Sequence, residues 1–316
     1  MRNDAFMEES PRVAIVRSYR PSLGAPNARA VNARRVHLRK RMSAADAFHA
    51  TVLECLAQVG GNAPAIRARD PEGVHQVRVG LRRLQMALKS FGAETPELKA
   101  LGRRGRTIAD AFGPARELDV FADELLKPVL AKYGDHESFA AFVPALRHAR
   151  GEAWDDALAE VLNPDFGAFL NDVAAAAEQI PRDGRRIGKV SRKALDEHWK
   201  IAKKRGRKIR KVYDERTHRL RIALKKLRYA AELFAPLYPR RKTARYIRSL
   251  KTLLDRMGEA NDVHGIGGTL ARVGNAAELR FAAGIIAGWH ASREKGLTTK
   301  AMQGWKSFRK LKPFWD

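Results

Sequence analysis

The chain has one cysteine, Cys55, in 316 residues. That excludes an internal disulfide framework and the small scaffolds that depend on one. Cys55 sits in Ala50–Leu56, an apolar helical context, and reads as a buried structural thiol rather than a reactive one. Long apolar runs are also lacking. The longest, Phe281–Trp289, is far shorter than the roughly 20 residues that span a bilayer. The first residues, Met1–Glu9, contain no apolar stretch of the kind a signal peptide carries. The expected location is the cytoplasm, with no membrane partner. Convincing strand alternation is missing throughout, which argues against a sheet. Acids are scarce as well: 35 Asp and Glu face 61 Lys and Arg, for a net charge of +26 and a pI near 10.7. Such an imbalance raises the local concentration of anions around the protein.

The charge is not spread evenly. Between Arg182 and Arg228 there are 20 Lys and Arg but only five Asp and Glu. Helical signals dominate the rest. Residues 1–42 carry Pro11, Pro21, Gly24 and Pro26 and read as a flexible or extended lead-in. Ser43-Ala-Ala-Asp46 resembles a capping box, and Gly60-Gly61 reads as the stop of the helix it opens. Asp70-Pro71-Glu72 is a strong start signal for a helix to about Phe91. Further helices are expected near 96–112, 116–133, 136–162, 165–180, 190–213, 214–235, 242–257, 260–272, 275–294 and 297–309. The expectation is an all-α fold of two helical bundles, residues 43–180 and 181–316, divided at Pro181-Arg-Asp-Gly184.

One pattern occurs twice. His75-Gln-Val-Arg78-Val-Gly-Leu-Arg82-Arg83-Leu84 is echoed by His218-Arg-Leu-Arg221-Ile-Ala-Leu-Lys225-Lys226-Leu227. Position i and the cations at i+3 and i+7 fall on one narrow helix face. His75, Arg78, Arg82, Met86 and Lys89 share that face in the first copy, with Val77, Leu81, Leu84, Leu88 and Phe91 opposite. In the second, His218, Arg221, Lys225 and Tyr229 oppose Leu220, Leu224, Leu227, Ala231 and Phe234. Arg83 and Lys226 flank the stripes. A third stripe holds Lys189, Lys193, Lys200, Lys204, Arg207 and Lys211, with Leu195, Trp199, Ala202, Ile209 and Tyr213 on the reverse. Stacked like charges destabilise an isolated helix, so the stripes point to an external anion. Arginine forks suit phosphate oxygens, and lysines add point charges.

Further along, Gly113-Pro-Ala-Arg116-Glu117-Leu-Asp119-Val120 is matched by Gly258-Glu-Ala-Asn261-Asp262-Val263 at nearly the same offset from the histidine. An internal duplication with approximate two-fold symmetry is the economical explanation. Glu117, Asp119, Asp255, Glu259 and Asp262 read as caps and salt-bridge partners. The remaining histidines read as structural or surface residues.

The segments HQVRVGLRRL, GPARELDV, HRLRIALKKLRYAAELF and LDRMGEANDV together resemble the conserved histidine α-helical domain, CHAD, over roughly residues 40–316. The resemblance implies two helical bundles related by pseudo-two-fold symmetry with a basic surface, pore or groove. It also implies binding of inorganic polyphosphate and, in bacteria, association with polyphosphate granules. A scaffold that recruits other proteins to such a granule is compatible with that binding, and no cofactor is expected. The family's positions fall on His75, Arg78, Arg82, Arg83, His218, Arg221, Lys225, Lys226 and Arg228. Arg116-Glu117 departs from the family's common Arg-Asp but keeps the charge.

Two rivals remain at this level. A phosphate-chemistry enzyme needs a motif, and none is present. Gly184-Arg-Arg-Ile-Gly188-Lys189-Val190 is one residue short of a P-loop, no Glu-x-Glu-x-Lys run occurs, and metal-ligand spacing is missing. Non-specific nucleic-acid binding is allowed by charge, but the stripes carry few aromatics for base stacking.

Overall fold

The computed structural model describes residues 28–91, 95–181, 184–207, 209 and 213–316, which form helices and no sheet. The helices are α1 Ala44–Gly61, α2 Ala63–Arg67, α3 Pro71–Ser90, α4 Pro96–Ala111, α5 Gly113–Val120, α6 Lys127–Tyr133, α7 Ser138–Leu162, α8 Pro164–Glu178, α9 Ile187–Gly206, α10 Glu215–Phe234, α11 Arg240–His264, α12 Ile266–Val273 and α13 Arg280–Phe308. Local chemistry sets several starts. The Asp70 carboxylate accepts the Glu72 N–H at 2.9 Å, and Pro71 occupies the first position, where no N–H is needed. Ser43 caps α1 through the Asp46 N–H at 3.0 Å, while its hydroxyl donates to the Asp46 carboxylate at 2.7 Å. Thr95, Asn163 and Asp214 cap α4, α8 and α10 in the same manner.

The described residues fall into two compact units. The first holds residues 28–37, Met42–Gly113 and Asp156–Arg185. Within it α3 packs on α1 and α4, and α8 packs on α1 and α4. Its core is built from Phe48, Val52, Leu56, Val77, Leu81, Leu84, Phe112, Phe166 and Phe169. The lead-in is extended and fastened along residues 30–34. Asn62 holds the Val31 backbone through two bonds of 2.9 Å, Asp70 accepts the Ala30 N–H at 3.2 Å, and Gln76 donates to Asn32 at 2.9 Å. Residues 1–27 lie outside the described chain.

The second unit holds Leu38–Arg41, Pro114–Asp155 and Arg186–Asp316. Within it α10 packs on α9 and α11, and α11 on α13. Trp199, Tyr246, Trp305, Phe308, Phe314 and Trp315 form an aromatic cluster, and the Trp315 indole donates to Asp196 at 2.8 Å.

Several expectations about helices need correction. The helix expected over 190–213 stops at Gly206, because the Trp305 indole lies against that residue and donates to its carbonyl at 3.1 Å. A Cβ there would overlap the ring. The helix expected over 116–133 is interrupted by a π-helical turn, Phe121–Leu126. Pro128 follows it and has no N–H for the ladder, and Lys127 reaches back five residues to the Ala122 carbonyl. The breaks expected near Gly258 and between 294 and 297 do not occur; α11 and α13 run through both.

Candidate anion-binding faces

The stripe on α3 begins as periodicity requires. Val74, Val77, Leu81 and Leu84 are almost fully buried, and His75, Arg78 and Arg82 lie on the other side, half-buried. The cations then divide by role. An Arg78 guanidinium N–H donates to the Ala109 carbonyl in the last turn of α4, where orphaned carbonyls collect partial negative charge. Arg83 donates to Gln58 at 2.5 Å and to the Arg34 carbonyl at 3.1 Å, so it fastens the lead-in. Arg82 and the exposed Lys89 have no such partner among the described residues. Met86, expected on the polar face, is buried and accepts a bond from the Ser90 hydroxyl at 3.1 Å. Apolar packing thus wraps further round α3 than the two-sided pattern implied.

On α10, Leu220, Leu224, Leu227, Ala231 and Phe234 have no exposed surface. His218, Arg221, Lys225 and Arg228 are half-buried, and Lys226 is exposed. His218 Nδ1 lies 3.0 Å from Asn261 Oδ1, which also accepts the Tyr213 hydroxyl at 2.9 Å. Asn261 Nδ2 donates to Asp262 at 3.1 Å and so fixes which amide atom is the oxygen. Because Oδ1 only accepts, this network assigns the proton to His218 Nδ1 and leaves Nε2 for another partner. The histidine of one motif is therefore oriented by the Asn-Asp of the other. Burial first, with Asp262, Glu215 and Asp214 adding to it, pushes the Tyr213 hydroxyl up to about 12, although Arg221 opposes the shift. The Arg221 and Arg228 Nε atoms are buried without an acceptor among the described residues. Tyr229, expected on the polar face, is buried, and the Arg228 guanidinium lies 5.0 Å from its ring centre.

The α9 stripe is the most open. Lys189, Lys193, Lys200 and Lys204 are all exposed, with no ion-pair or hydrogen-bond partner among the described residues. Leu195, Trp199 and Ala202 are buried opposite them. A shallow groove of about 510 Å³ follows Lys189, Arg192, Lys193, Asp196, Glu197 and Lys200. Because α9 ends at Gly206, Arg207 sits at its C-cap rather than on a continuing helix, and Lys211 lies outside the described residues.

The acids have the structural partners expected of them where bonds are present. Asp119 is buried and takes Arg150 at 2.7 Å and the Trp154 indole at 3.3 Å on one oxygen. Glu117 accepts the Thr269 hydroxyl at 2.8 Å and pairs with Arg272 at 3.6 Å. Cys55 is buried, and burial pushes its thiol up to about 11, as befits an inert core residue. No helix of the described residues is long and apolar enough to cross a membrane.

Residues 50–271 match the CHAD domain family. The chain belongs to that family. The crystal structure of the CHAD domain from the plant Ricinus communis is similar with a TM-score of 0.80, covering 90% of this chain and 98% of that one at 23% identity. PptA from Streptomyces chartreusis is similar with a TM-score of 0.66, covering 84% of this chain and all of that one at 14% identity. At these identities the likeness is one of fold. No curated protein matches this CHAD domain in sequence.

One basic surface has no counterpart among the motifs of the sequence. Residues 239–254 of the CHAD domain hold six Lys and Arg and no acid, and all six cations are exposed on α11. No histidine heads this row, so a search for the repeated motif passes over it. The charge count alone was the available signal.

Proposed function

We propose that this CHAD domain binds inorganic polyphosphate through its basic helix faces without turning it over, and associates with polyphosphate granules in the cytoplasm. The observation that carries the reading is the α9 row: Lys189, Lys193, Lys200 and Lys204 point into solvent with no anionic partner among the described residues. Four like charges along one face raise the energy of the free helix, and a linear polyanion relieves the repulsion at each position. Arg82 and Lys89 on α3 offer the same chemistry in the first unit. We read the two histidine-led helices as products of an internal duplication, each carrying its own basic stripe. A long chain engages more cations along a stripe at once than a short one and so gains affinity.

Membership of the CHAD family and the resemblance of the quoted motifs favour polyphosphate over other polyanions. Non-specific nucleic-acid binding is the second reading, favoured by charge alone. Against it, Trp199 and Tyr213 are buried and Tyr229 is covered, so the stripes offer no base-stacking platform. No group of three or more His, Cys, Asp or Glu among the described residues is arranged to hold a metal, and catalysis is not part of the proposal. Titration with orthophosphate, triphosphate and long-chain polyphosphate at two salt concentrations tests it. Long chains are expected to bind far more tightly, with a steep loss of affinity as salt rises. Equal affinity for all three ligands overturns the reading, and so does displacement of long-chain polyphosphate by DNA at equal phosphate concentration.

A further inference from the structure

We infer that the exposed row on α11 is a second polyphosphate track, continuous with the α10 stripe at Glu232. Arg240, Arg241, Lys242, Arg245, Arg248 and Lys251 are exposed over the first half of the helix. Arg241, Arg245 and Arg248 stand at i, i+4 and i+7, on one face, and the row from Arg241 to Lys251 is about 15 Å long. No acid lies within it to break the repulsion. The nearby hydroxyls do not offset the charge: Ser249 and Thr252 donate to the carbonyls of Arg245 and Arg248. Arg240, Arg241 and Lys242 also crowd the first turn, where the helix macrodipole is already positive and no side chain caps the end. A surface that gives up stability in this way is built for an anion.

The kind of anion follows from the surroundings. Tyr246 is the aromatic residue of this stretch, and it is 2% exposed, packed among Phe308, Phe314 and Trp315. The solvent face therefore offers charge without a ring for a base to stack on, which suits a phosphate chain and not a single-stranded nucleic acid.

The junction with α10 is a single carboxylate. Glu232 lies 3.7 Å from Arg228 on its own helix and 3.4 Å from Lys251 on α11. Arg228 ends the histidine-led stripe and Lys251 ends the new row, so the two basic faces meet at one acid. Glu232 occupies these cations in the free protein, and a phosphate arriving from either side competes with it for them. The track rests on the polyphosphate reading, and the test separates the two.

The experiment compares the full chain with a variant carrying Arg241→Gln, Arg245→Gln and Arg248→Gln, using long-chain polyphosphate, triphosphate and single-stranded DNA over a series of salt concentrations. All three substitutions are at exposed positions, and far-UV circular dichroism checks that helicity is kept. The expected result is a loss of about tenfold in long-chain affinity and a fall of about two in the slope of log K against log salt, from three lost contacts at roughly 0.7 each. Triphosphate binding at the α10 stripe stays unchanged. Long-chain affinity and slope equal to wild type overturn the track while leaving the polyphosphate reading intact. A loss confined to DNA overturns it in favour of a nucleic-acid surface. Absence of polyphosphate binding in the wild-type chain overturns both.

Discussion

His218 Nδ1 lies 3.0 Å from Asn261 Oδ1, which ties the histidine of the second stripe to the end of α11, 43 residues later. Asn261 takes the Tyr213 hydroxyl on the same oxygen, so one amide orients two rings. Asn261→Ala removes both bonds and leaves donors short of an acceptor. It is expected to destabilise the fold by about 1–3 kcal/mol, read from urea denaturation. It is also expected to weaken polyphosphate binding, because His218 Nε2 is no longer held in place. Unchanged stability together with unchanged affinity would contradict the orienting role.

Stability at mildly acidic pH depends on His290. It has no exposed surface and its Nε2 lies 3.0 Å from the Leu125 carbonyl in the π-helical turn. Burial holds its pKa below the usual histidine value; the bond to Leu125 opposes this and the charge of Arg293 adds to it. The folded protein therefore refuses a proton that the unfolded chain takes up below about pH 6.5. The stabilising contribution is complete above that pH and is lost as the pH falls towards the depressed folded value. Thermal melts between about pH 7 and pH 5 should show Tm of the wild type falling more steeply than that of His290→Gln. Parallel curves would count against this account.

The end of α9 is a packing event and can be tested as one. Gly206→Ala places a methyl group against the Trp305 ring. The expected cost is about 1–3 kcal/mol from overpacking, although alanine is the better helix former. A variant as stable as wild type in urea would mean that Trp305 yields easily and does not set the helix end.

These examples mark what the sequence discloses. Asp70-Pro71-Glu72 announces α3 because capping is local chemistry, settled within three residues. The burial of Val77, Leu81 and Leu84 follows from period 3.6 for a similar reason. The stop at Gly206 depends on Trp305, 99 residues away, and no local pattern contains it. Gly258 has the look of a break but lies mid-helix on an open face, where glycine costs only about 1 kcal/mol and packing elsewhere on α11 outweighs it. In the candidate site, periodicity identifies which face carries the cations. It does not separate Arg78 and Arg83, which hold backbone carbonyls, from Arg82, Lys89 and the α9 lysines, which do not. That division depends on tertiary neighbours.

On the proposed track, Glu232 holds two cations that a single substitution should release. Glu232→Gln removes the carboxylate between Arg228 and Lys251 and leaves both cations to the ligand. Polyphosphate binding is expected to tighten by roughly two- to fivefold at low salt, with a steeper salt dependence. Glu278→Gln, at an exposed position, serves as the control for a general change in net charge. Equal gains from the two variants would show that Glu232 has no particular place in the site.

The most direct test of the central claim neutralises five of the unpaired cations together: Arg82→Gln, Lys89→Gln, Lys193→Gln, Lys200→Gln and Lys204→Gln in one chain, titrated with long-chain polyphosphate by calorimetry. None of the five holds a structural partner among the described residues, so helicity should match wild type. The basic-face account predicts that affinity falls by more than about tenfold and that the salt slope drops by about 3.5. Binding within about twofold of wild type, with the slope unchanged, would contradict it.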